Sequence, residues 1–476
     1  MAQLKILAGH AFGQLMPEVS FRQALEWKPD VVVAQGTSTD CGPAYIGAGI
    51  NQQPKPNVKR AFAQLLSIAT RFRIPFIWSV GTGGTDGSLE WALDIFREVC
   101  TENNHKLRIA GISGELQKDY LVKKIEESPQ SFQRLVETER LPRGLSKEEV
   151  LRSSHVIAQM GPEPIIAALE KGVDGVITGR ALDIGLYMAL PLKLGFPKAL
   201  AAHLGKTMEC GSIPSVPAKP GSMPEGASFD VMLGVLNEDN FLVFPANPEL
   251  KCTVTSVGSH AFYERVNPFK EENPGGYLDL AQVAYEQIDE RTVKCSGAKW
   301  VDEPYSIKVE GAAVIGYRAI CIAGLRDPAF IRQIDSIFAG AKIELRNLLP
   351  LNPEDYQVHF HAYGRDAVMG VTEPCRDQPS HEIGLVIDAV GKTQEIASTA
   401  ASGARAVLMG KKYPGRLSTA GNLALLYSPS ELELGPAYIF NIWHKMLLDN
   451  PLEPFRYKLL DSTSKAPWSN EKWRSF

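Results

Sequence analysis

Four stretches of this chain concentrate side chains that can hold an anion and move a proton. The first is Gln35–Pro43, Q-G-T-S-T-D-C-G-P. Thr37 and Ser38 offer hydroxyls for binding, Asp40 a carboxylate for acid/base work, and Cys41 a thiol that could act as acid or nucleophile. The second is Gly81–Gly87, G-T-G-G-T-D-G, where Thr82 and Thr85 repeat the hydroxyls and Asp86 the carboxylate. The third runs from Gly179 to Cys210. Arg180 is the natural fork for a carboxylate or phosphate, and Asp183 follows it by one turn. His203, Lys206, Glu209 and Cys210 share one helical stretch, with His203 and Glu209 a candidate acid/base couple. The fourth, Tyr413–Asn422, sets Arg416, Ser418, Thr419 and Asn422 among Gly415 and Gly421, which open the backbone to a ligand. Plainer readings stand beside these: polar turns, an Arg180–Asp183 ion pair that only holds its loop, a structural helix histidine, and an interdomain connector.

The first three stretches each follow a strand. Val31, Val32 and Val33 are β-branched and suit a strand buried on both faces. Ile74–Val80 precedes the second loop, and the strand in Gly172–Gly179 precedes Arg180. Strands are also expected at Leu4–Ala8, Leu107–Ile112 and Val156–Met160. Helices are expected at Phe21–Trp27, Val58–Phe72, Ser88–Val99 (capped by Asp86 or Ser88), Gly161–Lys171, up to Leu194, and over Ala199–Cys210. Strand, polar loop and helix repeat, which argues an α/β fold with a mainly parallel, Rossmann-like sheet. Open sheets of that kind bind ligands at the carboxyl ends of their strands. The loops Thr37–Cys41, Gly81–Asp86 and Gly179–Asp183 should therefore sit at one edge.

Beyond Ser212–Ser228, a Pro/Gly-rich linker or lid, the texture changes to β-rich or mixed structure, including Cys252–Glu264. The last third reads as strand, helix, strand, strand, helix: Tyr305–Ala323, Asp327–Phe338, Tyr356–Tyr363, Ile383–Val390 and Gln394–Val407. That order suggests a second, smaller α+β domain of the ferredoxin-like kind. The expected division is 1–225, a mixed connecting region 226–300, and 301–476. His359 and His361 would share the polar face of their strand, but no acid cluster nearby completes a metal site.

With 44% hydrophobic and 22% charged residues among 476, the chain has the make-up of a globular protein with a substantial core. A net charge of -4 gives no electrostatic case for nucleic acid or an anionic membrane. No apolar run is long enough to span a bilayer and no signal peptide is evident. The seven cysteines form no C-x-x-C pair and fit a reducing, cytoplasmic setting. Gly9-His10-Ala11-Phe12-Gly13 is not G-x-G-x-x-G, so no dinucleotide fingerprint is present and no cofactor is expected.

Taken together, S-T-D-x-G-P at Ser38–Pro43, the loop Gly81–Gly87, G-P-E-P at Gly161–Pro164, G-R-A-x-D at Gly179–Asp183, H-x-G-K-x-x-E-C-G at His203–Gly211 and S-T-A-G-N at Ser418–Asn422 resemble the AtuA family of acyclic terpene utilisation. The likeness runs along most of the chain. It departs at Cys41 and Gln35, where a subgroup of the family often has proline and an acid. The resemblance implies a branched carboxylic acid or acyl-CoA as substrate without fixing the reaction. The chemistry expected is that of a lyase, hydratase or isomerase. Asp40, Cys41, Asp86, His203 and Glu209 are the catalytic candidates. Thr37, Ser38, Thr82, Thr85, Arg180, Asp183, Arg416, Ser418, Thr419 and Asn422 are the substrate-binding candidates, with no metal ligand among them. The alternative is a non-catalytic acid- or acyl-CoA-binding subunit working with a small accessory protein; a metal-dependent hydrolase is a third reading. A homo-oligomer is expected. So is a loop at Gly415–Asn422 that closes over the ligand.

Overall fold

A computed structural model describes residues 3–10, 12–136, 143–224, 228, 230–464 and 466–476. The contacts divide the chain into two compact units, Met1–Ala313 with Phe440–Phe476, and Val314–Ile439.

In the first unit the described residues form an eleven-stranded sheet. Its strands are β1 (Leu4–His10), β2 (Val31–Gln35), β3 (Phe76–Ser79), β4 (Arg108–Ser113), β5 (Gly175–Thr178), β6 (Met232–Leu236), β7 (Asn240–Pro245), β8 (Ala284–Gln287), β9 (Val293–Ser296), β10 (Arg456–Asp461) and β11 (Arg474–Ser475), in the order β8-β9-β7-β6-β1-β2-β3-β5-β4-β10-β11. The five central strands pair in parallel. Antiparallel strands extend them on both sides. The sheet is thus mixed, with the parallel part at its centre.

The valine run explains why that centre is buried on both faces. Side chains alternate along a strand. Val31 and Val33 join one apolar layer with Ile6, Ala8 and Ile77, whereas Val32 and Ala34 join the opposite one with Leu7, Phe76 and Trp78. Helices α1 (Glu18–Trp27), α2 (Lys55–Phe72), α3 (Asp86–Glu102), α4 (Pro162–Leu169), α5 (Asp183–Lys193) and α6 (Lys198–Met208) follow the expected segments. Layers of this kind supply most of the folding free energy, at about 25 cal/mol per Å² of apolar surface. The cap of α3 is Thr85, whose Oγ1 accepts from the Ser88 amide, rather than Asp86 or Ser88.

Three segments differ from expectation. His155–Ala158 leaves the parallel sheet and pairs antiparallel with Val309–Ala312. It has no place beside β4, whose two edges are taken by β5 and β10. Within Cys252–Glu264 the chain forms a helix, Val254–His260, started by a reciprocal Thr253/Ser256 cap. The linker Ser212–Ser228 is tied down in part, since Val216–Pro217 pairs with Leu250–Lys251; its residues 225–227 lie outside the described ones.

The chain leaves the first unit within the strand Ser306–Leu325 and returns within Glu431–Leu447. Between them the order is helix Ile334–Leu348, strand Tyr356–Tyr363, strand Ile383–Gly391 and helix Gln394–Gly410. Ile383–Gly391 lies between Tyr356–Tyr363 and the long strand, which is the split arrangement expected of a ferredoxin-like unit. Small residues Ala397, Ala400, Ala401 and Ala404 let the second helix pack onto Ala319, Cys321, Leu385 and Ile387. His359 and His361 lie on the polar face, His361 3.6 Å from Asp388. This division differs from one at residue 301, because residues 440–476 rejoin the first unit and β10 completes the edge of β4.

Candidate functional site

β2, β3 and β5 are adjacent and parallel, so their following loops meet at one edge. The Ser38 amide donates to Thr82 O at 2.8 Å, and the Arg180 amide to Gly84 O at 3.3 Å. The close approach depends on Gly84. Its φ is +71°, and a Cβ there would stand 2.3 Å from the Arg180 nitrogen. Any side chain would push the third loop away from the second.

Arg180 is buried at this junction. Its Nε donates to Glu310 Oε2 at 3.2 Å and its Nη1 to the carbonyls of Thr37 and Ala181. Asp183 Oδ1 is 3.8 Å away, a looser contact than Glu310. Glu310 also accepts from Thr39 Oγ1 at 3.0 Å and lies 3.1 Å from Lys308 Nζ. Burial disfavours its charge, but Arg180 and Lys308 outweigh that and hold its carboxyl below the usual range. Asp183 opens α5 and accepts from Gln35 Nε2 at 2.8 Å.

α5 and α6 pack tightly because Gly205 faces Tyr187 and Ile184; a Cβ there would lie 3.1 Å from that of Tyr187. This contact carries the polar side of α6 toward Asp183. Lys206 Nζ donates to Glu209 Oε1 at 2.7 Å and to Glu264 Oε2 at 3.2 Å, and lies 4.7 Å from the Tyr263 ring centre. Burial opposes the Lys206 charge, but Glu209, Glu271 and Glu264 overcome it, so the ammonium stays protonated well above neutrality. Burial raises Asp183 to about 7, against the pull of Arg180 and Lys206. It raises Glu209 to about 8, against Lys206 and with the help of Asp183. Burial thus pushes both carboxyls above the usual carboxylate range, with Lys206 bound to Glu209. The side chain of Asp183 keeps 23% exposure and that of Glu264 48%, so the group meets solvent on that side.

The other candidates take different places. His203 does not couple with Glu209. It packs edge-on to Phe241 and Tyr285, Tyr285 Oη lies 3.4 Å from Nε2, and burial pushes it down to about 3. Lys206 takes the role of partner instead. Asp40 is exposed. Thr37 is buried with its Oγ1 unpartnered, and Ser38 Oγ accepts from the Asp40 amide. Thr82 Oγ1 accepts from the Gln52 amide, so Thr82 and Thr85 serve the loop and the helix cap. Arg416 and Asn422 bind one another at 2.9 Å, and Asn422 also donates to Leu408 O and Lys411 O. They fasten their own loop to the end of its helix, and Ser418 adopts φ +58° in it. Among the described residues no three His, Cys, Asp or Glu side chains are grouped to hold a metal.

Asp86 belongs to a second cluster at the ends of β3 and β4. It accepts from Ser113 Oγ and, at 2.7 Å, from Arg456. Glu115 accepts from the Asp86 amide at 2.7 Å and lies 2.7 Å from His155 Nδ1, which raises the His155 pKa. Glu115 and His155 are 40 residues apart. No spacing in the sequence announces the dyad; only the strand ends bring it together.

Cys41 is exposed, with its thiol 3.2 Å from Gln52 Oε1. Burial of the sulfur and the neighbouring Asp40 raise its pKa, the reverse of what a nucleophile needs. A thiol reagent is expected to label Cys41 in the native protein, slowly at pH 7 and faster as the pH rises toward 9. Peptide mapping after labelling at both pH values checks this. Labelling as fast at pH 7 as at pH 9 would show an activated thiolate instead.

The fold and the site define an α/β protein whose candidate ligand groups gather at the carboxyl edge of a parallel sheet core. A family model described as acyclic terpene utilisation family protein AtuA matches residues 24–212 and 242–425, and the chain belongs to that family. No curated protein and no solved structure matches it. No helix among the described residues is long and apolar enough to cross a membrane.

Proposed function

We propose that the protein is a hydratase or lyase, or an isomerase, acting on a small branched carboxylic acid or its CoA thioester in acyclic terpene utilisation. The observation that carries the reading is the group Asp183, Lys206 and Glu209: a buried ammonium bound at 2.7 Å to the buried carboxylate of Glu209, and the partly exposed carboxyl of Asp183 at the start of the neighbouring helix, both carboxyls raised by burial. In this scheme one carboxylate removes the proton next to the substrate's carbonyl. The electron pair moves onto the carbonyl oxygen, and Lys206 stabilises the negative charge there. The other carboxyl, in its neutral form, delivers a proton to the leaving hydroxyl or, where the substrate is β,γ-unsaturated, to the γ-carbon of the dienolate. Loss of water follows in the first case and a shifted double bond in the second.

Lys206, rather than Arg180, takes the substrate's charge. The Arg180 guanidinium is already held by Glu310 and two carbonyls, whereas one of the two carboxylates on Lys206, Glu264, is half exposed and can be displaced. The same commitment of Arg180 favours a second reading, a binding subunit without turnover that works with a small accessory protein. The protein's scattered free cysteines fit a reducing, cytoplasmic setting in either case.

A thermal-shift screen of branched, unsaturated and hydroxylated acids, free and as CoA thioesters, tests the proposal. It is followed by proton NMR of each stabilising compound after incubation in D₂O. Incorporation of deuterium or loss of water is the expected result. Stabilisation without any exchange would leave the binding subunit.

A further inference from the structure

A cavity of about 130 Å³ is lined by Gln159, Leu182, Asn273, Ser306, Lys308 and Lys445, with Leu135, Glu272, Pro274 and Ile307 completing its wall; neither Asp183 nor Glu209 lines it. Nothing in the proposed chemistry uses it. Two of its side chains are ammonium groups. Lys308 sits 3.6 Å from the Trp443 ring centre and 3.1 Å from Glu310. Lys445 is less committed: its nearest carboxylate, on Glu272, is 3.8 Å away and also bound by Lys270 at 3.3 Å. Ser306 and Gln159 add a hydroxyl and an amide, and both residues are buried. A donor-rich wall with an uncommitted cation suits a small anion.

One wall group asks for the opposite partner. Asn273 is buried, and its Nδ2 donates to Glu271 O at 3.0 Å, which fixes the amide's orientation. Its Oδ1 is then left buried without a partner. An unpaired buried acceptor is costly, and a ligand that brings a hydroxyl there recovers the loss. The volume admits a molecule of roughly six heavy atoms, of the size of a three-carbon acid. We infer that this cavity binds a small hydroxycarboxylate, its carboxylate on Lys445 and Lys308 and its hydroxyl on Asn273 Oδ1. The cavity wall shares no residue with the acid/base group.

Calorimetric titration of the full chain with lactate, propionate and inorganic phosphate tests the inference. Lactate is expected to bind, and propionate to bind at least about fivefold more weakly for want of the hydroxyl. Lys445→Met should weaken lactate by about tenfold or more and Lys445→Arg should retain most of the affinity. No heat with lactate would overturn the site. Lactate affinity unaffected by Lys445→Met would overturn its location, and equal binding of all three anions would overturn the assignment of the hydroxyl.

Discussion

Asp183→Asn is expected to lower turnover of the acid found in the screen by about 100- to 10,000-fold, the range for loss of a positioned acid or base. Asparagine keeps the size and can still accept from Gln35, but it cannot carry the proton. The effect should lie in kcat, with affinity little changed. A second readout follows from the raised pKa. A carboxyl that ionises near 7 in the folded chain and near 4 in the unfolded one favours folding in its protonated form. That stability is fully present below about pH 4 and is lost as the pH rises toward the folded value. Asp183→Asn should therefore gain on the wild type between pH 5 and pH 8, as measured by urea unfolding at both. Glu209 contributes in the same direction and keeps part of the slope in the variant. Full turnover, or an unchanged pH slope, would remove Asp183 from the acid/base role.

The largest loss of stability is expected from Glu310→Ala. The carboxylate is 0% exposed and faces a guanidinium whose side chain is 6% exposed. Removing one partner leaves the other buried and uncompensated, at a cost of about 3–5 kcal/mol. Thr39 loses its acceptor as well. Glu310→Gln, which keeps that acceptor, should fall between the variant and the wild type. The double replacement Arg180→Met with Glu310→Leu should recover much of the loss, since no fully buried charge is then stranded and Lys308, 27% exposed, can turn to solvent. The pH dependence runs opposite to that of Asp183. The depressed carboxyl of Glu310 stabilises the fold above its unfolded pKa of about 4.3, and this is lost as the pH falls through the folded value. Urea unfolding at pH 7 decides the matter: a loss under about 1 kcal/mol would mean that the pair is solvated.

The parts of the fold legible in the sequence are those written in local pattern. The valines of β2 announced a strand buried on both faces, and the polar loops after β2, β3 and β5 announced the edge where they meet. Asp183 stood out beside such a loop as a binding candidate, and Glu209 on its helix as a partner for His203. Partners were harder to see. Glu310 lies 130 residues beyond Arg180, in the middle of a strand with no break to mark it. Glu264 reaches Lys206 from a turn whose left-handed backbone, φ +57°, is unusual for a glutamate. His203 sits one turn from Lys206 on the same helix, yet it points into the aromatic layer of β7 and β8. Helical spacing gives the angle between two side chains but not which of them faces the core. The place of His155–Ala158 was equally hidden, because its partner, Val309–Ala312, comes from far along the chain.

β10 also sets a clock on the making of the protein. Arg456 pairs with Ser113 across 343 residues of chain. At the usual speed of translation that interval is roughly 20–70 s. Throughout it the outer edge of β4, with its run Ile109-Ala-Gly-Ile112, offers unpaired backbone groups to any other extended segment nearby. On a polysome the nearest such segment belongs to the next nascent copy. β10 is therefore also what ends the period in which the emerging chain is prone to associate with its own kind.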